Sequence, residues 1–220
     1  MAPTSSAHLL PEPDGEEPLL HQREYVVRSY RAGPGRMRIR GMVHDQKPPG
    51  MIIDGDPDPL SVHRMVVDLL VDYPSLQISA AEVVMEVTPH QGCTSIEPAY
   101  DLLAGVSVTR GFSRKVQELF GGPRGCTHVG ALLQAMAPVA IQSRWSMRAL
   151  EGVPVEVGKT ASEQRLEAMT FNVNTCHVWD AEGDLARRVQ DGEEPDPPRW
   201  AVERLATLGR TVAWWREQRR

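Results

Sequence analysis

Residues 36–46 read RMRIRGMVHDQ, and their alternation decides the fold. Met37, Ile39 and Val43 fall on one face and Arg36, Arg38 and Arg40 on the other, the period of a strand with one apolar and one wet side. Upstream, residues 24–31 (EYVVRSYR) are rich in β-formers and end at the turn signal Gly33-Pro34-Gly35, so the two segments read as a hairpin. Downstream, residues 47–59 are dense in Pro, Gly and Asp and read as a loop. Residues 62–73 (VHRMVVDLLVDY) alternate again, with His63, Met65, Val67, Leu69 and Val71 on one side. After Pro74-Ser75, residues 76–87 make a fourth strand, with a bulge expected near 80–82, where the alternation slips. Four successive strands with short links imply an antiparallel meander.

Past Pro89 the period changes. Residues 96–104 and 112–120 each suit a short helix, with Ser113 expected to cap the second. Gly121-Gly122-Pro123-Arg124-Gly125 forces a change of direction. The longest helical stretch then runs from Cys126 to about Leu150, with Val129, Leu132, Leu133, Met136 and Ala140 on one stripe and Pro138 inside. Strands first and helices afterwards predict an α+β fold, a meander of about four strands with helices packed on one face. Residues 171–179 (FNVNTCHVW) read as a short strand or buried segment. The organisation expected is a flexible arm over 1–22, one α+β domain over 23–188, and a linker with a C-terminal amphipathic helix over 189–220. The arm carries Pro3, Pro11, Pro13 and Pro18 and too little apolar area to offset the entropy of ordering.

Composition narrows the function classes. A net charge of −5 over 220 residues argues against nucleic acid as the partner, since phosphate binding needs a concentrated positive face. No apolar run reaches the ~18–20 residues of a membrane span, and the first thirty residues lack the basic start and apolar middle of a signal peptide. Three cysteines, an odd count, point away from a disulfide framework and towards a cytoplasmic protein. No G-x-S-x-G, phosphate loop or dinucleotide fingerprint occurs, and Gly121–Gly125 lacks the Lys-Ser/Thr ending of a nucleotide loop, so no nucleotide cofactor is expected.

The chemistry-bearing residues cluster. Cys126-Thr127-His128 follows a Gly-rich loop and opens a helix, where unpaired backbone N–H groups and the helix dipole favour a thiolate. In a regular helix His128 points about 200° away from Cys126; a frayed first turn brings the two together. His63 opens the third strand on its apolar face, Cys93 ends the fourth, and Cys176-His177 sits beside Trp179. No zinc-finger spacing is present. Asp45 and Lys47 read as a surface pair worth little, and Arg36, Arg38 and Arg40 as a solvated stripe or an anion clamp.

The same residues carry a resemblance. Tyr30-Arg31, Asp45-x-Lys47-Pro48, Val62-His63, Gly92-Cys93, Ala99-Tyr100, Leu103-x-Gly105, Gly111-Phe112, Gly121-Gly122-x-Arg124-Gly125-Cys126-Thr127-His128 and Thr175-Cys176-His177 are similar to a bacterial domain-of-unknown-function family, DUF2889, over residues 24–188. His44 and the Pro/Asp loop after Lys47 depart from the expected pattern. A fainter likeness is to the iron–sulfur scaffold (IscU/NifU-like) fold, and it implies ligand roles for His63, Cys93 and Cys126, with His128 as a fourth. Histidine in place of the first cysteine shifts that set towards zinc or iron as a single ion rather than a cluster.

Three functional readings follow. The first is an enzyme of small-molecule metabolism, lyase/isomerase-like or hydrolytic, acting on a small organic substrate. It works through a metal on His63, Cys93, Cys126 and His128, or through a Cys126 thiolate with His63, His128, Cys176 and His177 as helpers. The second is a metal or iron–sulfur carrier. The third is an accessory subunit whose Trp-bearing C-terminal helix docks a partner enzyme or a second copy.

Overall fold

The computed structural model describes residues 10, 13–15, 17–151 and 158–217; most of the arm expected over 1–22 therefore lies outside the described residues. The chain divides into two units, Met1–Gly152 and Val153–Arg220, a boundary that falls inside the span read as one domain.

The first unit is built on a four-stranded antiparallel sheet in the order β1-β2-β3-β4, comprising β1 (Gln22–Arg31), β2 (Arg36–Lys47), β3 (Leu60–Asp72) and β4 (Ile78–Val87). Every second residue of β2 from Met37 to Asp45 is buried, and the same parity on β3 buries Met65, Val67, Leu69 and Val71. On β4 the register slips twice, near Ser79 and near Glu86, rather than at 80–82. The first slip changes the parity of the strand, so Ile78, Val83 and Met85 all face the core. Residues 93–103 form a 3-10 helix, Cys93–Leu103, instead of an α-helix. Its Glu97 accepts the Met85 amide at 2.6 Å, satisfying a donor on the edge strand. Helix α1 (Phe112–Phe120) is preceded by Gly111 as its cap, and Ser113 instead donates across to Gln134.

Helix α2 (Thr127–Glu151) buries Val129, Leu132, Leu133, Met136, Ala140 and Met147 against the inner face of the sheet. Gly41 permits this approach: a Cβ there would lie 2.7 Å from Met136 Sδ and 3.0 Å from Leu132 Cδ1. One core runs from Met37 to Met147 and holds the N-terminus of α2 over one end of the sheet.

The second unit contains α3 (Ala161–Thr170), α4 (Asp184–Gln190), α5 (Arg199–Thr207) and α6 (Val212–Glu217). Thr160 and Glu163 form a capping box at the start of α3. Residues 171–179 are neither strand nor buried: they form turns and a short 3-10 helix, His177–Trp179, because Asn and Thr side chains satisfy the local backbone. The single C-terminal helix expected is two, broken at Gly209 (φ 63°).

Candidate functional site

Strand register assembles the site. Arg23 on β1 lies opposite Asp45 on β2, and Asp45 lies opposite His63 on β3, so three side chains share one row at one end of the inner face. Asp45 has the same parity as Met37, Ile39 and Val43, and it is 1% exposed. It is therefore not the surface partner of Lys47 that its place at a strand end suggested.

Arg23 grips the Asp45 carboxylate with both arms of its fork, Nε to Oδ1 at 2.6 Å and Nη2 to Oδ2 at 2.7 Å. Burial alone would push the Asp45 carboxyl up, but the hydrogen bonds and charge of Arg23, helped by His128 and His21, outweigh it, and the group sits below its usual range. His21 Nε2 stands 3.8 Å from Oδ1.

Helix α2 delivers the fourth member. His128 Nε2 lies 3.3 Å from Asp45 Oδ2, and His63 Nδ1 lies 3.1 Å from the same oxygen. The two imidazoles stack, with centroids 3.9 Å apart and planes at 27°. An ionised carboxylate only accepts, so the nitrogens facing it carry the protons: Nδ1–H on His63 and Nε2–H on His128. Burial, then the charges of His63 and Arg23, hold His128 below the ordinary imidazole value against the pull of Asp45. His128 is thus neutral at neutral pH, with a lone pair on Nδ1.

That lone pair faces a thiol. Cys126 Sγ is 3.7 Å from His128 Nδ1. Cys126 is not inside the helix but caps it, its carbonyl accepting from Gly130 N at 2.9 Å, so the 200° separation of helical positions does not apply. Two features place it. The Cys126 amide donates to the buried Tyr100 hydroxyl at 2.8 Å, and burial pushes that phenol up to about 12. The chain also passes so close over Phe120 that a Cβ on Gly125 would meet the Phe120 carbonyl oxygen at 2.5 Å.

Among the described residues, the metal-ligating atoms that converge within 4.8 Å of one another belong to Asp45, His63 and His128. Cys126 touches this group through His128. Cys93 opens its 3-10 helix, half-buried against the core, outside the converged set. Cys176 and His177 are exposed residues of the second unit.

A family model described as a protein of unknown function, DUF2889, matches residues 21–142. The chain belongs to the DUF2889 family. No curated protein and no solved structure matches it. The DUF2889 span contains Arg23, Asp45, His63, Cys93, Tyr100, Cys126 and His128 and stops short of Thr175-Cys176-His177, so the family region is shorter than the 24–188 read from motifs. Arg23 and Asp45 are the site residues that motif reading missed. The signal for Asp45 was present, since it extends the buried parity of β2 by one step. Arg23 becomes visible only once β1 and β2 are in register.

Proposed function

We propose that the protein is a thiol-dependent enzyme acting on an electrophilic carbon of a small organic substrate, with Cys126 as nucleophile, His128 as base and Asp45 as the group that orients the base. One observation carries this reading: an unbroken line from Cys126 Sγ through His128 Nδ1 (3.7 Å), and from His128 Nε2 to Asp45 Oδ2 (3.3 Å). It is the relation of nucleophile, base and orienter that thiol chemistry requires. The Cys126 proton passes to His128 Nδ1 as the sulfur–carbon bond forms. The resulting imidazolium is paired with Asp45, and its proton then goes to the leaving group. The first-turn N–H groups of α2, which have no acceptor within the helix, suit a developing oxyanion. In the hydrolytic version a water, deprotonated by His128, releases the covalent intermediate.

A second reading rests on the converged ligand atoms. A zinc or iron site with bonds of ~2.1 Å has ligand-to-ligand edges of about 3.0–3.4 Å, and the spacings at Asp45 Oδ2 are 3.1 and 3.3 Å. Two features favour the thiol reading. A carboxylate offers about four lone-pair sites, and two Arg23 donors plus two imidazole donors already occupy them. Ring nitrogens also bind metals in the ring plane, and stacking at 3.9 Å turns those planes alongside one another rather than towards one point.

The test is alkylation of Cys126 by iodoacetamide in a Cys93→Ser/Cys176→Ser background, with metal analysis of the same protein. The expected result is metal-free protein in which His128→Gln slows alkylation at neutral pH by at least about tenfold. Equal rates in both proteins overturn the relay. Stoichiometric metal that is lost in His63→Ala replaces it with the metal centre.

A further inference from the structure

The outer face of the sheet, turned away from α2, carries a pattern that the site does not use. Val26, Met42, Val66 and Val84 are register partners and make an apolar row across all four strands. Val84 is 42% exposed. Two residues along each strand lies a charged row, Arg28, Arg40, Asp68 and Glu82, basic on β1 and β2 and acidic on β3 and β4. Asp68 is met within the chain by Arg38 at 3.5 Å and Arg40 at 3.6 Å. Arg28 and Glu82, the ends of the row, are exposed and in no ion pair among the described residues. Three strand spacings, about 14 Å, keep them from reaching each other.

This pattern is self-complementary under one symmetry operation. A two-fold axis along the strands, between β2 and β3, lays β1 over β4 of a second copy. Val26 then faces Val84, Met42 faces Val66, and Arg28 faces Glu82 at both edges. The next row on one side adds Tyr30 over the small Ala80, and the next on the other side sets Glu24 over Val87 beside the Arg64–Glu86 ion pair. An axis running across the strands serves less well: centred on the charged row it sets Arg28 against Arg28, centred between rows it sets charge against the apolar row, and centred on the apolar row it leaves Glu82 against Glu86, already held by Arg64. The face measures about 19 by 27 Å (four strands at ~4.8 Å, four rows at ~6.8 Å), about 500 Å² in projection, against the ~800 Å² of accessible surface per partner of a standard complex.

We propose that the outer sheet face is a homodimer interface, two copies packing face to face with β1 of each over β4 of the other.

Sedimentation equilibrium of the full chain tests this, with circular dichroism confirming that each variant folds. The wild type is expected to dimerise. Arg28→Glu and Glu82→Arg should each weaken the dimer by at least about tenfold, because each sets like charges together at both edges. The double variant Arg28→Glu/Glu82→Arg should restore it, which no contact within one chain can do at that separation. Val84→Asp, at a position already open to solvent, should dissociate it. A monomer at all concentrations overturns the proposal, as do single reversals without effect or a double variant no stronger than the singles.

Discussion

At Asp45 two opposing effects meet: burial disfavours the carboxylate, and the bidentate hydrogen bonds and charge of Arg23 favour it more strongly. Asp45→Asn keeps the shape and removes the charge, leaving Arg23 without its ion partner. Arg23 is 37% exposed, so water recovers part of the loss and the expected cost is about 1–3 kcal/mol in a urea titration. No change in midpoint would show that the pair contributes nothing. His128 adds a pH dependence. Its folded value is lowered from the unfolded ~6.5, so the unfolded chain binds more protons in the window below that value. Stability is therefore complete above about pH 6.5 and declines as pH falls through the window. His128→Gln should flatten the fall in urea midpoint between about pH 6.5 and 5; identical slopes for the two proteins would remove His128 as its source.

Two glycines separate packing from positioning at the scale of elements. Gly41 lets α2 lie close on β2, and an added Cβ meets the ends of the Met136 and Leu132 side chains. Gly41→Ala should destabilise by about 1–2 kcal/mol as those side chains adjust, with Cys126 alkylation unchanged. At Gly125 the added Cβ meets the Phe120 main chain, which cannot rotate aside. Gly125→Ala must therefore shift the backbone that delivers Cys126 to the cap of α2. It should cost about 1–3 kcal/mol and slow alkylation as well. Equal effects of the two substitutions on the thiol rate would mean that the loop does not position Cys126.

At the scale of the whole molecule, the continuous core extends from Met37 to Met147 and lies wholly within the first unit. A chain ending at Gly152 retains that core and every residue of the proposed relay. It is expected to unfold cooperatively by calorimetry and to keep the His128 dependence of thiol alkylation. A truncated chain that fails to fold would show that the second unit stabilises the first.

The amino-acid order alone determined the meander, the long helix and the inward parity of β2 and β3, because alternation and the 3.6-residue stripe are local consequences of backbone geometry. Cys126, His128 and His63 were recognisable by residue type and by their places at element ends. Their grouping was not, since periodicity says which face a side chain takes and nothing about which distant residue shares it. Register between strands put Arg23, Asp45 and His63 in one row, and the docking of α2 set His128 beside Asp45. Contacts between residues up to about a hundred positions apart are long-range packing outcomes, decided by how the apolar stripe of α2 fits the sheet around Gly41.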